Sequence, residues 1–75
     1  MKNGKGIEYY DNNKIEFEGE YLNGLRNGKG KFYHYNGNLI YEGEYLEGER
    51  NGKGKEYKNG ELIFQGEYLK GYRII

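Results

Sequence analysis

Serine, threonine, cysteine, alanine, valine, tryptophan and proline are all missing from this chain of 75 residues, and histidine and aspartate occur once each, as His34 and Asp11. Without Ser, Thr or Cys the familiar hydroxyl and thiol nucleophiles are lacking. One His and no Cys cannot build a conventional zinc site, and no disulfide can form. No Asn sits in an N-glycosylation sequon, which requires Ser or Thr. Long apolar runs are missing too: none approaches the roughly 18 residues of a membrane-spanning helix. The start, Met1-Lys2-Asn3-Gly4-Lys5, has no hydrophobic segment behind it and does not read as a signal peptide. Excess charge of one sign is also lacking, because 12 Lys and Arg balance 12 Asp and Glu. With no basic excess there is no footprint for nucleic acid. No constellation supports an enzyme, a cofactor or a small-molecule substrate.

What remains is unusual in another way. Ten of the 26 apolar or aromatic residues are Tyr, three are Phe, and 14 residues are Gly. Disordered chains are poor in aromatics, so 13 aromatic rings argue for a folded chain. Its core must be built from rings rather than aliphatic side chains.

The chain repeats. Asn-Gly-Lys-Gly occurs at 3–6, 27–30 and 51–54, and Glu-Gly-Glu-Tyr-Leu at 18–22 and 42–46 returns as Gln-Gly-Glu-Tyr-Leu at 65–69. Arg26, Arg50 and Arg73 close the units. Residues 3–26 and 27–50 match at 13 of 24 positions without a gap, and the third unit, 51–73, is one residue shorter near position 58. Three units cover nearly the whole chain, which reads as a single domain over 1–75.

Within each unit the period is two. Ile15, Phe17, Gly19 and Tyr21 alternate with Glu16, Glu18 and Glu20; Leu39, Tyr41, Gly43 and Tyr45 alternate with Ile40, Glu42 and Glu44. The third unit sets Leu62, Phe64, Gly66 and Tyr68 against Ile63, Gln65 and Glu67. This is the pattern of a half-buried strand. Asn36-Gly37 and Asn59-Gly60 carry a type I′ turn signal, with Asn12-Asn13 a weaker version. Asn23-Gly24-Leu25-Arg26-Asn27-Gly28 reads as a Gly-rich loop. The spacing predicts strands over 5–10, 14–22, 29–35, 38–46, 53–58 and 61–69, joined as an antiparallel meander, with a short seventh strand at the end. No window shows a helical period, and Gly interrupts all of them.

The repeated residues suggest roles. A mid-strand Gly flanked by rings (Gly19, Gly43, Gly66) weakens a strand unless something must approach closely. Rings folding over the gap and packing on the next unit explain it better than a row of ligand subsites. The ring ladder of Phe17, Tyr21, Tyr41, Tyr45, Phe64 and Tyr68 is then both the spine joining the units and an amphipathic face suited to protein contacts. Six strands at about 4.8 Å make a sheet only about 29 Å wide, so that face calls for a partner, a second copy or its own curl. The Glu ladder lies opposite. Recurring identical carboxylates do not supply the two unequal environments of a glycosidase, and Lys29, Lys31, Lys53 and Lys55 on neighbouring strands make a cross-strand charge ladder instead. Gly24 to Gly30 lacks the spacing and Ser/Thr of a phosphate-binding loop. Stacking of the loops at one edge would align Arg26, Lys29, Arg50 and Lys53, with Lys5 and Arg73, in a basic ridge able to meet anionic headgroups. His34 stands outside the repeat and reads as incidental.

The unit [FY]-[EQ]-G-E-Y-L-x-G-x-R-N-G-K-G-x-x-Y resembles the MORN (membrane occupation and recognition nexus) repeat over residues 3–73. Phe17-Glu18-Gly19-Glu20-Tyr21 and its two successors match that family's aromatic-x-Gly-x-aromatic core, and Gly24, Gly28, Gly30, Gly48, Gly52 and Gly54 match its loop glycines. Tyr stands where the family often has Trp. The resemblance implies an all-β fold, one hairpin per repeat stacked into an elongated twisted sheet. It also implies a non-catalytic scaffold or interaction module, cytoplasmic, at the membrane or cytoskeleton periphery. The expected partner is a protein or a second copy of the chain on the aromatic face; the alternative is an anionic membrane on the basic edge. Choline- or sugar-binding hairpin repeats fit less well, because their cages rely on Trp.

Overall fold

The computed structural model describes residues 2–74, in which seven antiparallel strands pair in chain order as one open sheet without a helix. The strands are β1 (Gly4–Tyr9), β2 (Ile15–Leu22), β3 (Leu25–Tyr33), β4 (Leu39–Leu46), β5 (Glu49–Lys58), β6 (Glu61–Leu69) and β7 (Tyr72–Ile74). The meander is the one the sequence pattern predicts, and β7 is its short seventh strand.

The turns decide where the strands begin. Asn23-Gly24, Glu47-Gly48, Asn59-Gly60 and Lys70-Gly71 each place two successive residues at positive φ, the geometry that closes a two-residue hairpin. The loop expected over residues 23–28 is therefore wrong: only Asn23 and Gly24 turn, and β3 starts at Leu25, as β5 starts at Glu49. The type I′ expectation holds at Asn59-Gly60 and fails at Asn36-Gly37. There only Gly37 has positive φ; the His34 and Asn38 backbones close a three-residue turn, with His34 N–H donating to Asn38 O at 2.7 Å. Tyr10 to Lys14 repeats that closure. The residue missing from the third unit is thus one turn residue.

Two irregularities recur in the ladder. In β2, β4 and β6 the register skips Glu16, Ile40 and Ile63, which have no cross-strand partner. A bulged residue is re-aimed, and Ile40, expected opposite the rings, packs at the margin of the ring cluster. In β3 and β5 three residues, Asn27–Lys29 and Asn51–Lys53, oppose one Glu. Gly28 and Gly52 take φ of 101° and 98° there. The Glu20 carboxylate accepts the Lys29 N–H at 2.7 Å, and Glu44 accepts that of Lys53 at 2.7 Å.

Each unit is stitched closed on itself and joined to the one before. Asn3, Asn27 and Asn51 accept, through Oδ1, the N–H of Asn23, Glu47 and Lys70 at 2.7, 3.2 and 3.1 Å. The following Gly N–H of each turn donates to the carbonyl of Lys2, Arg26 or Arg50. At the opposite ends of the strands Tyr10 O–H donates to Tyr33 O at 2.6 Å, and the Tyr10 and Tyr35 rings lie 5.2 Å apart.

The core is a row of rings on one face. Phe17, Tyr21, Tyr41, Tyr45 and Tyr68 are buried and Phe64 is half-buried. Edge-to-face contacts link Tyr21, Phe17, Tyr45, Tyr41, Tyr68 and Phe64 in that order, with centroids 5.6, 5.1, 5.4, 5.2 and 5.6 Å apart. Such pairs add about 0.5–1.5 kcal/mol each beyond burial, so the row stabilises the stack without a second layer. The glycines make room for it. Gly6, Gly19, Gly30, Gly43, Gly54 and Gly66 pair in register across six strands, and a Cβ on Gly54 would stand 2.5 Å from the Tyr41 ring.

Candidate interaction surface

Arginine closes the ring face from outside. Arg26, Arg50 and Arg73 lie over Phe17, Tyr41 and Phe64, with Cζ 4.2, 4.3 and 4.5 Å from the ring centroids. A guanidinium on a ring face is held by the ring quadrupole and by its own flat packing. All three reach a carboxylate, two of them through paired hydrogen bonds and Arg50 through Nη1 at 3.8 Å from Glu56. Arg26 Nε and Nη2 donate to Glu8 at 3.0 and 2.9 Å, and Arg73 Nε and Nη2 to Glu56 at 2.8 and 3.0 Å. Tyr21 O–H donates to the same Glu8 and Tyr68 O–H to the same Glu56. The Arg26 guanidinium holds the Glu8 carboxyl below its usual range, as Arg73 does for Glu56. Burial, reinforced by Glu8, pushes the Tyr21 hydroxyl up to about 12. Burial also takes Tyr41 to about 12.

This face is therefore interior rather than free. Phe17 and Tyr41 are 0% exposed and Tyr68 2%, so of the covers expected for this face (a partner, a second copy or its own packing) the chain supplies the last by itself. The rings fill the glycine gaps and the arginines cover what the sheet cannot. Nothing in the repeat spacing distinguishes an Arg that faces solvent from one that plates a ring. The available signal was its fixed place, two residues after the turn glycines Gly24, Gly48 and Gly71.

The basic ridge is not assembled either. Arg26 and Arg50 belong to the ring face, whereas Lys29 and Lys53 lie on the opposite one. The cause is alternation itself: the segment that reads locally as a loop is strand, and a strand sends neighbouring side chains to opposite sides.

The opposite face is open. It is hollowed into a groove of about 1410 Å³ that runs across β1 to β6 over the backbone of the glycine row. Two walls of side chains flank that floor. One wall is Lys5, Glu20, Lys29, Glu44, Lys53 and Glu67; the other is Ile7, Glu18, Lys31, Glu42, Lys55 and Gln65. The ladder sets Glu18 beside Lys31, Lys31 beside Glu42, and Glu42 beside Lys55. The cross-strand charge ladder is thus present, with Lys31 Nζ 3.9 Å from Glu42. On this face each strand from β2 to β5 carries two charges of one sign, and the sign reverses from strand to strand. The groove is banded: negative on β2, positive on β3, negative on β4, positive on β5. Beside it, at the turn ends of the strands, Leu22, Leu25, Leu46, Leu69 and Tyr72 are exposed.

A family model described as the MORN repeat matches residues 1–14, 17–39 and 41–61. Those boundaries cut the same period at a different phase from the units 3–26, 27–50 and 51–73. No curated protein matches the chain.

Proposed function

The chain belongs to the MORN repeat family, whose repeats are in general non-enzymatic modules for protein or lipid interaction, and from that membership we propose that its working surface is the banded groove, which takes a polypeptide segment of alternating charge. The carrying observation is the charge reversal from strand to strand along an open groove floored by bare backbone. Strands are about 4.8 Å apart, and an α-helix advances about 5.4 Å per turn. A helix laid across the strands with opposite charges on successive turns meets a complementary band at nearly every turn. Charge complementarity of this kind sets register and rejects wrong partners more than it adds affinity. The ring face, with its rings covered, supports the groove from behind.

Two helical peptides of one composition test this. In one, Lys and Glu alternate turn by turn; in the other they are segregated into blocks. Fluorescence anisotropy is expected to show saturable, salt-sensitive binding of the alternating peptide only. Equal binding of both, or of neither, removes the groove as a specific site.

The exposed rim of Leu22, Leu46 and Leu69, with Lys29 and Lys53 on the same face, favours a second reading: contact with an anionic membrane. Of the four cations in the proposed ridge, only these two lysines are free for it. Co-sedimentation with phosphatidic acid vesicles, lost on Leu46→Asn but kept on Arg50→Gln, is its expected result.

A further inference from the structure

We propose that two copies of this chain pair groove face to groove face about a two-fold axis parallel to the strands, an inference resting on the groove as the working surface. Such an axis reverses strand order while keeping position along the strand, so each wall meets itself running backwards. The first wall reads plus, minus, plus, minus, plus, minus from Lys5 to Glu67. Reversed, it presents the opposite sign at all six positions: Lys5 meets Glu67 of the second copy, Glu20 meets Lys53, and Lys29 meets Glu44. The second wall does the same. Glu18 meets Lys55 and Lys31 meets Glu42, while the two uncharged residues, Ile7 and Gln65, meet each other. Both rows are self-complementary, as a two-fold interface requires of one patch.

Alternative arrangements fail on the same charges. A two-fold axis across the strands sets Glu20 on Glu18 and Lys29 on Lys31. A slide by one strand reverses the parity, so wherever two wall charges still meet they are alike. The register is therefore specified, and like-charge juxtaposition disfavours the competing ones. The pairing axis also brings Leu25 of one copy to the level of Leu46 of the other, both exposed in the single chain. Wall meets wall and the two hollows close into a shared channel. A molecule 34 by 26 Å across its broad side has room for the roughly 800 Å² per partner of a standard interface.

Sedimentation velocity over a concentration series tests the pairing. The wild-type chain of 8.8 kDa is expected to double in mass as concentration rises, more readily at low salt. Lys31→Glu and Glu42→Lys each set like charges across the axis and are expected to stay monomeric. Both positions are about half exposed, so losing their cross-strand pair leaves the fold intact, which circular dichroism checks. Mixed in equal amounts, the two variants restore every opposition and are expected to form a one-to-one heterodimer. A purely structural role for the pair gives no such rescue. A wild-type chain that stays monomeric throughout, or a dimer indifferent to both reversals, overturns the pairing. A monomer that still binds the alternating peptide overturns the pairing alone; a chain that neither pairs nor binds overturns the groove reading with it.

Discussion

Glycine and arginine act here as a pair of complementary fittings for the rings. The glycine row lets Phe17 and Tyr41 lie on the backbone of the next strand, and the arginines cover the faces left outside. A Cβ at Gly54 has no room, because three atoms of the Tyr41 side chain, two of the ring and its hydroxyl oxygen, would stand within 2.7 Å of it. Gly54→Ala is therefore expected to destabilise by about 1–3 kcal/mol, as overpacking does. At about 4–8 °C per kcal/mol for a domain of this size, calorimetry resolves that; an unchanged Tm would mean that the ring does not lie over the glycine. The Tyr–Glu–Arg clusters make the protein sensitive at both ends of the pH scale. Glu8 and Glu56 have carboxyls lowered by Arg26 and Arg73, so the unfolded chain binds protons more readily, and their stabilisation is lost as pH falls below the ordinary value of 4.5. Tyr21 and Tyr41 are raised from 10.0 to about 12. Their contribution is present below pH 10 and disappears as pH rises toward 12. Thermal melts across pH should show a plateau between two falling limbs. Glu8→Gln with Glu56→Gln should flatten the acid limb and, because Glu8 reinforces the raised Tyr21 hydroxyl, soften the alkaline one to a lesser degree; an acid limb unaltered by the double substitution removes the clusters as its cause.

At the level of the strands, what was legible in the sequence was whatever depends on alternation. β2, β4 and β6 follow from period two, and the packing role of the strand glycines follows from the rings on either side. Less legible was whatever depends on a partner some twenty residues away. Leu25–Gly28 is strand only because β2 and the next turn hold it there: Glu20 takes the Lys29 N–H, and Asn27 takes that of Glu47. Read locally, Asn-Gly-Lys-Gly resembles a flexible loop. The signal lay in a coincidence of periods, an Asn standing about twenty residues before each turn. The same local reading misassigned the site, because a loop could have gathered Arg26 and Lys29 at one edge where a strand divides them between two faces. Burial of the rings was illegible for a related reason: alternation shows which residues share a face and not what covers it. Asn51→Ala tests the stitch. It leaves the Lys70 N–H without its acceptor at an exposed turn, and a hydrogen bond of this kind contributes about 0.5–1.5 kcal/mol. A modest fall in Tm is expected, with faster amide exchange confined to the turn at 70–71. Exchange that rises evenly along the chain would deny that the stitch is local.

The whole molecule is a one-dimensional stack, since the substantial contacts join strands adjacent in sequence. Stability of such an array is close to a sum of units and the interfaces between neighbours; here each unit carries its own arginine plate and asparagine stitch, and each interface has one ring-to-ring contact and one turn Gly N–H donating to the preceding Arg carbonyl. The open face follows the same arithmetic, because each unit adds one negative and one positive band. A duplicate of residues 27–50 inserted after Arg50 should therefore lengthen the sheet by two strands, add one full interface and raise the Tm. It also keeps the number of bands even, so the reversed groove still meets opposite charge throughout. The lengthened chain is expected to melt higher and to pair with itself in the same salt-sensitive way. An insertion that lowers the Tm would show that the units are not additive. An insertion that melts higher but stays monomeric would separate the stability of the stack from the matching of its charges, and would mean that pairing depends on the ends of the sheet rather than on its bands.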